Sequence, residues 1–140
     1  MLSQDPVESF AFFNESIELT RRFRALKLWL SLRYHGRQAF VESILRDLKN
    51  ARQLADLVQK EPVLELVAPV SLSAVCFRHR EVDNQALLER VLRRGKVYLS
   101  NATIGGRFGL RACFVNHRTT EEDVRSIVDE VVSAAKDIRS

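Results

Sequence analysis

The chain is poor in the residues that build special-purpose folds. Only two of its 140 residues are cysteine, Cys76 and Cys113, and they form no CxxC pair. That excludes both a secreted disulfide framework and a zinc ribbon. Each lies inside an apolar run, so buried, reduced thiols are expected. With three prolines and five glycines, neither a collagen-like nor a low-complexity segment is possible. No hydrophobic run approaches the length of a membrane span. The N-terminal Met1-Leu2-Ser3-Gln4-Asp5-Pro6 has no basic region leading into an apolar core, so no signal peptide is read and a cytoplasmic location is expected. His35, His79 and His117 share no metal-ligand spacing with a second His, Cys or Asp. His35 falls at a helix C-terminus, and the other two follow strands, where they are expected at the solvent edge. Gly105-Gly106 is followed by neither Lys-Ser/Thr nor a GxGxxG pattern, so there is no phosphate loop.

What remains is the composition of a globular domain: 46% hydrophobic and 29% charged. A chain of this length hides roughly two-thirds of its unfolded surface, enough for one real core. The net charge of +4 rests on 17 Arg against 5 Lys. The arginines are scattered among Asp and Glu, with no run of five like charges, which argues for a solvated surface with a few anion contacts rather than a nucleic-acid interface.

Residues 1–19 hold Pro6 and the rings of Phe10, Phe12 and Phe13 without a sustained period, an extended lead-in. Thr20 is a fair N-cap for a first helix, and Gly36 can close it. That helix carries apolar groups on several sides, with Phe23, Leu26 and Leu30 on one face and Leu28, Trp29 and Leu32 on others, so it calls for burial on more than one side. A second helix runs from Arg37 to Lys60, with Phe40, Ile44, Leu48, Ala51, Ala55 and Val58 in one stripe and Glu42, Arg46, Asn50 and Gln53 away from it. Val63–Val67 and Ser73–Arg78 are β-type runs. Asp83 or Asn84 caps a helix bearing Leu87, Leu88, Val91 and Leu92, which Gly95 ends. Lys96–Thr103 and Arg107–Val115 form a hairpin about Gly105-Gly106. Thr119 and Glu122 suggest a capping box for a last helix striped by Val124, Ile127, Val128, Val131, Ala135 and Ile138. The order α-α-β-β-α-β-β-α predicts an α+β domain, a mainly antiparallel sheet of about four strands backed by helices on one face. The expected division is a lead-in over 1–19, two linking helices over 20–60 and an α+β domain over 61–140.

Two features point toward chemistry. Strand alternation places Phe108, Leu110, Ala112 and Phe114 on the core face and Gly109, Arg111 and Cys113 on the other. Arg111 is thus flanked by small side chains, above a gap that a planar anion could enter, and guanidinium offers a bidentate fork for a carboxylate. The alternatives are a surface arginine on a solvated sheet face, or one paired with a neighbouring helix glutamate. In the first helical turn, Arg21, Arg22 and Arg24 oppose the helix dipole. Either an acidic partner or another domain docks there, or the repulsion is tolerated at a solvated end.

The stretch Arg21-Arg22-Phe23-Arg24-Ala25-Leu26-Lys27-Leu28-Trp29-Leu30-Ser31-Leu32-Arg33-Tyr34-His35-Gly36 resembles a signature helix of the pyridoxal-phosphate-dependent amino-acid decarboxylases, the group II family of aromatic-amino-acid, histidine and glutamate decarboxylases. Further similar blocks follow in order: Leu64-Glu65-Leu66-Val67, Val75-Cys76-Phe77-Arg78, Asn84 to Leu88, Tyr98-Leu99-Ser100 to Gly106, and Leu110-Arg111-Ala112-Cys113 through Asn116 to Thr119-Thr120. The resemblance spans about Phe10 to Ile138. It implies the small C-terminal domain of fold-type I pyridoxal enzymes, usually homodimers. It also implies a carboxy-lyase in which the cofactor acts as electron sink while carbon dioxide leaves an L-amino acid. The resemblance is strongest to the aromatic-amino-acid branch; by the same resemblance, and notably to the glutamate-decarboxylase branch, Arg111 would hold the substrate carboxylate. The family's cofactor-linking lysine, usually preceded by histidine, has no counterpart among Lys27, Lys49, Lys60, Lys96 and Lys136. The cofactor-stacking His and the Asp at the pyridine nitrogen would belong to a large domain that this chain lacks. The expectation is therefore a tail without its catalytic head: no catalytic, cofactor-binding or metal residue of its own, inactive alone, and partnered by the large domain or by a second copy through exposed apolar surface. The rival expectation is a stand-alone basic α+β module that binds nucleic acid or an acidic protein.

Overall fold

A computed structural model describes residues 23–139, and the chain forms two compact units that divide between Gln38 and Ala39. The expected cap Thr20, the lead-in phenylalanines, Arg21 and Arg22 lie outside the described residues. The long helix α1 (Arg24–Lys60) is two helical runs, because Gly36 breaks it at φ 75 and ψ 161. In the first run, Leu28, Trp29 and Tyr34 are 60, 57 and 85% exposed. Arg24 is exposed at the start of α1, with no acidic residue in the first turn to balance it. The Arg33 guanidinium lies over the Trp29 ring at 5.8 Å, one helical turn on.

The second run of α1 belongs to the α+β body and buries Asn50, Ala51, Leu54, Ala55 and Val58. The expected stripe is fully buried only toward its C-terminal end, since Phe40 and Leu48 are half-buried and Ile44 is exposed. Asn50, expected on the polar side, is buried at 2% exposure. It is turned toward the loop before the last helix, where its Nδ2 donates to Thr119 O at 3.4 Å. Arg46 donates to His117 O at 2.9 Å and Lys49 pairs with Glu121 at 2.6 Å, so one polar stripe of α1 fastens that loop.

The sheet comprises β1 (Leu64–Leu66), β2 (Ala74–His79), β3 (Ser100–Ile104) and β4 (Arg107–Cys113), in the order β1-β2-β4-β3 and antiparallel throughout. The fold is the expected α+β arrangement. β3 begins later and β4 ends earlier than expected, although Phe114 N still donates to Ser73 O at 2.9 Å just beyond the strand. Gly105 and Gly106, at φ 57 and 76, make the two-residue turn between Ile104 and Arg107. Two successive positive φ values match the twist of a hairpin and favour glycine. Helix α2 (Asn84–Arg94) is capped by Asp83, whose carboxylate accepts from Gln85 N and Ala86 N at 3.3 and 3.1 Å. Helix α3 (Glu121–Arg139) starts one residue later than a Thr119–Glu122 box would have it. The box is Thr120–Asp123: Asp123 N donates to Thr120 Oγ1 at 3.2 Å, and Thr120 N donates to the Asp123 carboxylate at 2.8 Å. Thr119 instead presents its carbonyl to Asn50.

Phe77, Val75, Leu110 and Ala112 project from one face of the sheet into a core completed by Leu54 and Val58 of α1, Leu87 and Val91 of α2, and Val124 and Val131 of α3. His79 corrects another expectation. It is the last core-side residue of β2, in phase with Val75 and Phe77, and is 2% exposed. Its Nδ1 accepts from Glu81 N and Val82 N at 3.1 and 3.3 Å. Asn84, also buried, accepts from His79 N at 2.7 Å and donates to His79 O at 2.9 Å, so an amide side chain takes the place of a neighbouring strand there. Among the described residues, no helix is long and apolar enough to cross a membrane.

Candidate functional site

Period-two alternation places Glu65, Cys76, Arg78, Ser100, Arg107, Gly109, Arg111 and Cys113 on the sheet face away from the helices. The cross-strand register brings Ser100, Arg111 and Cys76 into one row across β3, β4 and β2. Arg111 is exposed. Its Nε donates to Ser100 Oγ at 3.0 Å, and the same hydroxyl donates to Arg111 O at 3.3 Å. One serine therefore fixes the inner edge of the guanidinium and leaves its two terminal nitrogens facing outward. Among the described residues no carboxylate stands at ion-pair distance from Arg111. The face's one acid, Glu65, sits instead among Arg80, Arg78 and Arg107 at 3.0, 3.7 and 3.9 Å. The alternative pairing of Arg111 with a helix glutamate is thus not found, while its exposure fits both a surface arginine on a solvated sheet face and a fork open to an anion.

The expected gap beside Arg111 is narrower than the sequence implied. Gly109 is buried, and a Cβ built there would lie 2.9 Å from Val67 Cγ2 and 3.0 Å from Phe77 O. Val67, just past β1, covers that side, so the open space is toward Ser100 and the two thiols. Those thiols also differ from expectation. Cys113 is exposed and Cys76 half-buried, because both project from the outer face. Burial pushes the Cys76 thiol up, Arg111 opposes that shift, and Cys113 adds to it. Ser100 was missed by sequence reasoning, because a lone serine has no signal until the β3–β4 register sets it opposite Arg111.

A separate groove of about 930 Å³ lies where α3 faces the ends of β3 and β4, lined among others by Lys96, Leu99, Ala112, Phe114, Arg118 and Ile127. Arg111 does not line it. Several of the groove's charges are paired with one another. Glu130, 5% exposed, receives Arg94 and, at 3.3 Å, Lys96, while Arg94 also donates to Asp137 at 2.7 Å and Ser133 at 2.9 Å. The Arg94 hydrogen bond, reinforced by Lys96, holds the Glu130 carboxyl below the usual carboxylate range. This cluster ties the end of α2 to α3.

The described lysines are the candidates to link pyridoxal phosphate. Lys49 and Lys96 are held by Glu121 and Glu130, and Lys27 and Lys60 are exposed on α1. None of these lysines follows a histidine, the setting the resemblance implies for the cofactor-linking lysine. Nor do the described His, Cys, Asp and Glu residues form a cluster of three or more that could hold a metal ion.

The sequence profile of the pyridoxal-dependent decarboxylase conserved domain matches residues 7–80. The chain is 39% identical over 121 residues to the aromatic-L-amino-acid decarboxylase of Drosophila lebanonensis, covering 85% of this chain and 30% of that protein. It is 32% identical over 147 residues to the aromatic-L-amino-acid decarboxylase of Bacillus atrophaeus, covering 97% and 31%. Among solved structures it superposes on Catharanthus roseus tryptophan decarboxylase in complex with L-tryptophan with a TM-score of 0.81 at 31% identity, over 92% of this chain and 30% of that one. It thus spans less than a third of the length of these relatives. A TM-score of 0.58 at 19% identity to an Escherichia coli cysteine desulfurase is a likeness of fold alone. With the signature helix, the four-stranded sheet and these matches in agreement, the chain belongs to the pyridoxal-dependent decarboxylase family.

Proposed function

We propose that this chain serves as the C-terminal part of an aromatic-L-amino-acid decarboxylase, in which Arg111 binds the α-carboxylate of the substrate. The observation that carries this reading is the guanidinium of Arg111: exposed, anchored at Nε by Ser100, and unmatched by any carboxylate at ion-pair distance among the described residues. Two parallel N–H groups in a fixed plane match a carboxylate bidentately, and a charge-assisted pair of that kind is about twice as strong as a neutral hydrogen bond. The aromatic branch is favoured by the relatives, which are aromatic-L-amino-acid decarboxylases in Drosophila, Bacillus and Catharanthus.

In this reading the cofactor is carried by residues other than those described, and the 140-residue chain alone performs no decarboxylation. The exposed Leu28 and Trp29 are apolar residues by which it joins the rest of the enzyme or a second chain, since exposed apolar surface on soluble proteins marks such contacts.

The test is a chimera in which this chain replaces the matching third of the Bacillus atrophaeus enzyme. Carbon dioxide release from an aromatic L-amino acid should be retained. Arg111→Lys should then lower kcat/KM by about 10- to 100-fold, the equivalent of one lost hydrogen bond to a charged group. A folded chimera that is inactive with Arg111 intact, or whose Arg111→Lys variant is unimpaired, refutes the assignment. Release of carbon dioxide by the isolated chain with added pyridoxal phosphate refutes its inactivity.

A further inference from the structure

Both cysteines of the chain lie on one face of one sheet. In the β2–β4 register Cys76 stands opposite Arg111 and Ala74 opposite Cys113. Cys113 is therefore the diagonal neighbour of Cys76, one strand over and two residues along. The Cys76 carbonyl accepts from Val67 N at 2.9 Å, so its main chain faces β1. Across β2–β4 the Cys76–Arg111 pair, and with it Ala74–Cys113, is non-hydrogen-bonded, the class in which side chains on neighbouring strands approach most closely. Directly across from Cys113 is only the methyl group of Ala74, which leaves the sulfur room to turn toward Cys76. One thiol is exposed and the other half-buried, so the pair is open to reagents from the outer side.

The separation decides which bridge can form. Diagonal neighbours on antiparallel strands have Cα atoms about 7–8 Å apart, beyond the range of about 4.4–6.8 Å that disulfides tolerate. A direct S–S bond would have to pull two central strands together. A bridging atom with two bonds to sulfur of about 2.3 Å each, as in metal thiolates, spans the gap with the strands in place. We propose that Cys76 and Cys113 form a two-thiolate site for a soft, thiophilic centre, of which trivalent arsenic is the type ligand.

With phenylarsine oxide as probe, the arsenic–oxygen bond is replaced by two arsenic–sulfur bonds. The two thiol protons leave with the oxide oxygen as one water, and neither arsenic nor sulfur changes oxidation state. Burial raises the Cys76 thiol and Arg111 only opposes that shift, so the exposed Cys113 makes the first attack on the electrophilic arsenic and Cys76 closes the second bond.

The experiment titrates the whole chain with phenylarsine oxide and reads intact mass and affinity. The expected result is one phenylarsenic per chain with loss of two hydrogens. Affinity should be about 100-fold above that of Cys76→Ala or Cys113→Ala, because the second bond is formed intramolecularly. Single variants that bind as tightly as the parent overturn the site, as does a parent chain that takes up two arsenicals. Should a variant not fold, peptide mapping of the parent adduct decides. Arsenic joining the Cys76 and Cys113 peptides supports the site, and arsenic on one peptide alone overturns it.

Discussion

Gly109 shows how much one side chain, or its absence, can fix. Its missing Cβ is what lets Val67 and the Phe77 carbonyl close over β4, at 2.9 and 3.0 Å from where the carbon would stand. One contact is main chain and cannot turn aside. Gly109→Ala should therefore lower stability by about 1–3 kcal/mol, the usual cost of forcing a carbon into a filled space, with chemical denaturation as the measure. His79 makes a second residue-scale prediction. Burial, aided by Arg139, pushes its imidazole below the ordinary value of 6.5. The unfolded chain then binds the proton more readily than the folded one, so stability rises with pH through that window. The contribution is complete above about 6.5 and is lost as pH falls from there through the lower folded value. His79→Gln should flatten the stability profile below about pH 6.5, and an unchanged slope there would contradict the assignment. Neither role could be read from sequence. Arg111 could be, since alternation alone put it opposite the core face, but its anchor Ser100 is eleven residues away along the chain and is brought opposite only by the hairpin register.

At the scale of elements, local signals were good guides to where helices and turns lie and poorer guides to their exact ends. The Gly105-Gly106 hairpin and the close of α2 at Gly95 are where turn chemistry puts them. The α3 cap moved one residue because two consecutive threonines, each followed three residues on by an acid, are equivalent until one is claimed. Asn50 takes the Thr119 carbonyl, and Thr120 is left to close the box. The cap of α2 predicts that Asp83→Ala costs about 1 kcal/mol, a typical N-cap loss, read as a shift in the denaturation midpoint. The junction of α2 with α3 should be sensitive to acid. Arg94 and Lys96 hold the Glu130 carboxyl below its ordinary 4.5, so the stability it supplies is present above that value and lost as pH falls below it. Glu130→Gln should remove this acid limb while leaving the limb that belongs to His79, a separation visible in thermal melts between pH 3 and 7.

Taken whole, the molecule covers its α+β core well and its helix α1 poorly. Leu28, Trp29, Ile44 and Leu45 are each more than half exposed, an arrangement that favours association in water. Sedimentation velocity should show concentration-dependent self-association of the isolated chain, weakened in a Leu28→Ser, Trp29→Ser variant. A chain that stays monomeric at high concentration would count against this. The sequence by itself determined the lineage, the order of elements, the antiparallel hairpin and the face that carries Arg111. All of these depend on periodicity, capping and turn chemistry within a few residues. Only the tertiary structure decided that His79 is buried, that Val67 closes over Gly109, that Ser100 anchors Arg111 and that Cys76 and Cys113 are diagonal neighbours on one sheet face. Those relations are set by strand register between segments distant in the chain, which local pattern does not encode.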